Sequence, residues 1–261
     1  MATASPLTSH PTQRILGIDF FVGSMDAAVD CILEGGLVVA PSGPGLAVDL
    51  MRSSEYRQAL QTADLAITDS GYMILLWRLF QRQKLPRLSG LRFLRVLLER
   101  SQLKSPGSVF WVMPSEAESV RNRTWLEEQG YPITDDDIYI APFYGKDAIN
   151  DPELLSRIET RKPQIVMMCI GGGVQERVGL FLRESLSCKP GIACLGAAIA
   201  FLTGGQTNIP PWGDKVFLGW LLRILSDPKK FGPRYWNSIR LAPILFRYRE
   251  HLPPLQAKSR V

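Results

Sequence analysis

Short apolar runs alternate along the chain with longer segments whose apolar residues recur every three or four positions. The runs at 14–21, 37–40, 64–68, 108–113, 138–142 and 164–170, and the one that opens 191–204, have the length and β-branched content of strands. Helical periodicity fills the gaps. It runs from Ser24, a cap for Ala28, Cys31 and Ile32, to Gly35-Gly36, then through Leu60, over 72–80, 91–100, 115–129 and 152–161, and onward from Val174. The strands are nearly continuous in apolar residues, as in a sheet covered on both faces. This order predicts an α/β fold: a Rossmann-like, mostly parallel sheet with helices on both faces. Segment 72–80 is apolar almost all round and is expected to be buried on nearly every side.

In such a sheet, ligands lie beyond the carboxyl ends of the strands, so the turns there carry the candidate chemistry. The turn Thr68-Asp69-Ser70-Gly71 holds one carboxylate, Asp69, between a strand and the buried helix. That carboxylate either acts on substrate or caps the helix. The loop Pro41-Ser42-Gly43-Pro44-Gly45 either offers N–H groups at Ser42 and Gly43 to a phosphate or is an ordinary strand-to-helix turn. After 164–170 come Gly171, Gly172 and Gly173, then Gln175, Glu176 and Arg177 at the start of a helix. Pyrophosphate at that N-terminus is physically sensible. Glu176 either bonds a sugar hydroxyl or complements the helix dipole. The glycines do not follow G-x-G-x-x-G, which disfavours a nicotinamide enzyme.

Composition narrows the classes. The chain has 261 residues, 46% hydrophobic and 21% charged, enough for a substantial core. Its four cysteines lie mostly in apolar runs without C-x-x-C spacing, which points to reduced thiols in a cytosolic protein and away from disulfides or zinc. The two histidines, His10 and His251, lie near the ends, so a histidine-based site is not expected. Residues 1–13 are expected to be a flexible leader without the apolar core of a secretory signal, 14–210 the α/β domain, and 211–261 a helical basic appendage. No apolar run reaches the roughly 18 residues of a membrane span.

Residues 215–261 carry a surplus of eight positive charges against a net +5 for the whole chain, which leaves 1–214 slightly acidic. There Lys and Arg alternate with Phe, Tyr, Trp, Leu and Ile, a mixture suited to an anionic membrane surface. The same helices alternatively pack on the domain with solvated arginines, or bind a diphosphate. The acidic remainder and the lack of a recognisable module argue against nucleic acid.

Taken in order, these motifs resemble the WecG/TagA/CpsF glycosyltransferases, family 26 of that class. The resemblance rests on Asp69-Ser70-Gly71 with Arg87-Leu88-Ser89-Gly90, on Gly173-Val174-Gln175-Glu176, and on the ending Trp220-Leu221-Leu222-Arg223, Asp227-Pro228-Lys229-Lys230 and Arg234-Tyr235. It implies a metal-independent, inverting transfer of an N-acetylhexosamine-type sugar from a UDP-sugar to a polyprenyl-diphosphate-linked acceptor, at the cytoplasmic face of the membrane and without a cofactor. A homo-oligomer is compatible with it.

On this footing Asp69 is the expected base and Arg87 the counter-charge. Ser42, Gly43, Gly171, Gly172, Gly173, Gln175 and Glu176 are expected at the donor. Arg223, Lys229, Lys230 and Arg234 are expected at the diphosphate or the membrane. Several positions depart from the family pattern. Ala200 and Gly219 stand where the family has acidic residues, Asn208 where it has Arg, and Pro41-Ser42-Gly43-Pro44 where it has an Asn-containing loop. These departures bear on sugar choice and keep a non-catalytic nucleotide-sugar-binding or membrane-peripheral scaffold as the alternative function.

Overall fold

The computed structural model describes residues 10–205 and 236–256. Its strands are β1 (Thr12–Ile15), β2 (Ile18–Phe21), β3 (Gly36–Val39), β4 (Leu65–Ile67), β5 (Val109–Met113), β6 (Ile138–Ile140), β7 (Ile165–Met168) and β8 (Gly191–Cys194). They form one sheet in the order β1-β2-β4-β3-β8-β7-β5-β6. All neighbours pair in parallel except β1 with β2, so the expected mostly parallel sheet is present.

The pleat sends alternate side chains to opposite faces, and each face has its own core. Leu37, Val39, Phe110, Val112, Val166, Met168, Ile192 and Cys194 join one cluster; Val38, Trp111, Ile165, Met167 and Ala193 join the other. Helices α1 (Met25–Leu33), α5 (Gly90–Leu98), α6 (Glu116–Glu128) and α9 (Ala198–Leu202) cover the second face. The first is covered by α2 (Leu50–Arg52), α3 (Ser54–Thr62), α4 (Gly71–Gln81), α7 (Pro152–Arg161), α8 (Val174–Ser185) and α10 (Leu241–Tyr248). Serine and aspartate caps start most of these helices where the sequence predicts. Ser24 accepts from Ala27 N, Ser115 from Glu118 N and Asp151 from Leu154 N.

Two readings change. Residues 14–21 are not one strand but the body of a hairpin, reversed at Leu16 and Gly17, whose φ values are 52° and 76°. Two positive-φ residues fit a tight hairpin turn, and glycine meets the second without strain. Helical structure before Leu60 is also broken: a π-helical turn, Gly45–Asp49, leads into α2, and Ser53 is extended before α3.

The end of the described chain belongs to the main core. Leu241, Ile244 and Leu245 of α10 are buried in the same cluster as Trp77 of α4, and Phe80 meets Phe246 edge-on at 5.5 Å. Beyond α10, the carbonyls of Arg249 and Glu250 accept hydrogen bonds from Leu16 N and Gly17 N at 2.8 and 2.9 Å. Arg57 Nη2 donates to Pro253 O at 2.6 Å. The expected boundary at residue 210/211 lies outside the described residues.

Candidate functional site

The two halves of the sheet meet where β3 lies beside β8, and the loops beyond the carboxyl ends of β3, β4, β7 and β8 converge there. Asp69 follows β4 and is half-buried. It does not cap α4: Ser70 does, its Oγ accepting from Met73 N at 3.3 Å. Asp69 instead turns its Oδ1 to Gly90 N, 2.8 Å away in the first turn of α5, so that helix fixes its orientation. Its Oδ2 has no hydrogen-bond partner among the described residues. A Cβ built on Gly90 would stand 3.7 Å from Asp69 Oδ1, 3.7 Å from Ala40 Cβ and 3.5 Å from Leu195 O, so the ends of β3, β4 and β8 close around this point.

Arg87 is brought to Asp69 by the strand itself. Buried Thr68 donates from Oγ1 to Pro86 O at 2.6 Å and accepts from Leu88 N at 3.2 Å, clamping the loop on both sides of Arg87. Arg87 Nε then faces the Asp69 carbonyl at 3.5 Å.

Ser42 and Gly43 approach from β3. Ser42 Oγ would lie 3.9 Å from a Cβ on Gly172, so this loop and the loop of Gly171, Gly172 and Gly173 are neighbours. Gly173 has a φ of 91°, where a side chain would be strained and would sit 3.1 Å from Asp49 Oδ2.

Gln175 and Glu176 do not open onto this space. Both are buried, and their polar atoms bind the protein. Glu176 Oε2 accepts from Gly173 N at 2.7 Å and its Oε1 from Gln175 Nε2 at 3.0 Å, while Gln175 Oε1 accepts from Gly196 N at 2.6 Å. One pair thus ties the loop after β7 to the loop after β8. Burial pushes the Glu176 carboxyl up to about 7, against the hydrogen bonds that favour its charged form. Burial also raises the Tyr56 hydroxyl, and the charges of Glu176 and Asp49 add to that.

Arg177, the next residue, is buried and structural. Its Nε meets Glu55 Oε2 at 2.6 Å, its Nη1 donates to Gly145 O at 2.9 Å, and its Nη2 donates to Asp147 O. Arg223, Lys229, Lys230 and Arg234 lie outside the described residues, as do Asn208 and Gly219. Ala200 is buried on α9.

A cavity of about 360 Å³ lies at the opposite, amino end of β3 and β8, lined by Glu34, Asp64, Arg183 and Lys189 among others. Its polar groups serve the fold: Asp64 Oδ2 accepts from Leu37 N at 2.7 Å and pairs with Arg183. We therefore place the site at the carboxyl ends, where the loops converge.

A family model described as "Glycosyl transferase WecG/TagA/CpsF family" matches residues 13–254. The chain belongs to this family. Membership makes it a glycosyltransferase of cell-surface polysaccharide synthesis, and it implies a nucleotide-sugar donor and a lipid-linked acceptor. No curated protein sequence matches the chain. The match extends past α10, in keeping with the place of that helix in the glycosyltransferase core. Among the described residues no helix is long and apolar enough to cross a membrane, and no three His, Cys, Asp or Glu side chains gather as a metal site.

Sequence reasoning quoted Thr68 and Gly90 only within their motifs, without their clamping roles, and did not single out Gly196 or Ser238 beside these loops. Ser89, three residues before Arg92, carries a cap signal for α5 that would have placed Gly90 in a first turn. Nothing local marks Ser238.

Proposed function

We propose that the protein transfers an N-acetylhexosamine-type sugar from a UDP-sugar to a polyprenyl-diphosphate-linked acceptor, with inversion and without a metal. The observation that carries this reading is the pairing at the end of β4: a carboxylate held through one oxygen by Gly90 N, with a guanidinium beside its own backbone. Asp69 Oδ2 takes the proton of the acceptor hydroxyl as that oxygen attacks the anomeric carbon. The nucleoside diphosphate leaves from the opposite face, and Arg87 balances its growing charge. The loops of Ser42-Gly43 and Gly171-Gly172-Gly173 receive the donor, with Gln175 and Glu176 holding the second loop in place.

A lipid-linked acceptor requires the site to face a membrane, and a surface beside α4 suits that role. Trp236, Ile239 and Phe246 are 74%, 55% and 62% exposed, and Leu79 of α4 is 70% exposed. Arg240 and Arg247, next in sequence to Ile239 and Phe246, are exposed as well, and Arg78 and Arg82 are exposed on and just after α4. Exposed aromatic and basic groups together favour an anionic lipid surface, here the inner face of the cell membrane.

The test is transfer by the full chain from a panel of UDP-sugars to a polyprenyl-diphosphate-linked sugar, with and without EDTA. Transfer that persists in EDTA and fails in Arg87→Ala is expected. Absence of transfer and of donor hydrolysis across the panel, or strict dependence on a divalent cation with an unaffected Arg87→Ala, would contradict it.

A further inference from the structure

The stretch from α4 through α5, residues 71–98, holds Arg78, Arg82, Lys84, Arg87, Arg92 and Arg95 and no Asp or Glu. Cations gathered in this way repel one another and draw anions to the surface between them. The fold sets them around the catalytic turn. Met73 and Trp77 pack α4 on one face of the sheet, and Phe93 and Leu94 pack α5 on the other. The loop between the two helices therefore crosses the carboxyl end of β4, where Thr68 grips it at Pro86 and Leu88. Gly90, in the first turn of α5, then donates its N–H to Asp69 Oδ1.

Arg92 comes two residues after Gly90, and Arg95 is its neighbour on the outer side of the same helix. Both are exposed, while Phe93, Leu94, Leu97 and Leu98 are buried. Neither guanidinium has a hydrogen bond or ion pair among the described residues. Arginines elsewhere in the domain differ: Arg100, Arg161, Arg177 and Arg183 each meet a carboxylate. The acids of α1, which packs against α5, are not available either, because Arg100 takes both Asp26 and Asp30, at 3.0 and 3.1 Å. The large exposed apolar groups suited to a bilayer lie on α4 and around α10, and α5 has none. Its outer side therefore suits a phosphate group better than a lipid surface.

The reaction calls for such a group there. Inversion puts the leaving diphosphate of the donor and the attacking hydroxyl on opposite sides of the anomeric carbon. The acceptor brings a second diphosphate, one sugar ring away from its hydroxyl, and Arg87 is already engaged with the first. A guanidinium fork matches phosphate oxygens in pairs, and Arg92 is rooted in the helical turn that orients Asp69.

We propose that Arg92, assisted by Arg95, recognises the acceptor by pairing with the diphosphate between its sugar and its polyprenyl chain. This rests on the lipid-linked acceptor reading above and extends it to the residue that selects the acceptor.

The test uses the UDP-sugar that the donor panel identifies and two acceptors of N-acetylglucosamine, one joined through diphosphate to a short polyprenyl chain and the other the neutral octyl glycoside. Wild type should favour the first in kcat/KM. In Arg92→Ala that preference should shrink about 10- to 100-fold, through KM rather than kcat, the loss expected for hydrogen bonds to a charged group. Arg92→Lys should recover part of it, and Arg92→Glu should lose more. UDP affinity by isothermal titration should stay at the wild-type value, because the donor has its own cation. A wild type without the preference, or an undiminished preference in Arg92→Ala and Arg92→Glu, would overturn the proposal alone. An undiminished preference with weaker binding to phosphatidylglycerol vesicles would overturn it by assigning the charge to lipid headgroups, and a parallel loss of UDP affinity would do so by assigning Arg92 to the donor. A wild type that transfers to neither acceptor from any donor of the panel would overturn the proposed function and this assignment with it.

Discussion

Glu176 shows how a single buried group sets the site. Its carboxylate holds Gly173 N and orients Gln175, which holds Gly196 N, so one buried side chain ties the loops after β7 and β8 together. With its pKa raised from the ordinary 4.5 to about 7, the folded protein holds this proton more tightly than the unfolded chain. The stabilisation is therefore complete below pH about 4.5 and is lost as pH rises through about 7. Glu176→Gln removes the titration. The melting temperature of wild type should fall relative to that of Glu176→Gln between pH 5 and pH 8, and a difference that stays constant with pH would show that the carboxyl does not titrate there. From sequence alone Glu176 stood equally well for a sugar ligand or a helix-dipole partner, because a capping residue and a ligand have the same local signature. Only the burial of its polar atoms separates the two. Ser238 was illegible for another reason: it reaches Gly43 from nearly two hundred positions away, and no periodicity records such a contact.

At the scale of elements, the site depends on how β4 grips the loop before α5. Thr68→Val keeps the shape but leaves Pro86 O and Leu88 N unpaired. This should cost about 1–3 kcal/mol, seen as a melting temperature lowered by several degrees, and should reduce transfer as Arg87 drifts from Asp69. Unchanged stability and activity together would show that the loop is held by other contacts. The elements themselves were largely legible, since caps such as Ser24, Ser115 and Asp151 mark helix starts and the buried parallel strands are apolar throughout. The hairpin was missed because an apolar run through Leu16 and Gly17 looks continuous; only the glycine hinted at a turn. The strand order, with β8 beside β3, joins segments about 150 residues apart and has no local signal.

For the whole molecule, α10 belongs to the core, so cutting the chain before it would damage the fold as well as any membrane contact. Point changes on its exposed side separate the two. Trp236→Glu or Ile239→Glu should weaken binding to phosphatidylglycerol-containing vesicles at least fivefold and leave melting nearly unchanged, and added salt should weaken the wild type as well. Equal binding by wild type and both variants would place the membrane contact elsewhere. The account as a whole depends on Asp69. Asp69→Asn keeps an oxygen for Gly90 N but cannot take a proton, and the decisive measurement is transfer to the lipid-linked acceptor by this variant, with donor affinity measured in parallel. A loss of about 10² to 10⁴-fold in transfer, with donor affinity and fold intact, is the predicted result. Transfer at the wild-type rate would contradict the account.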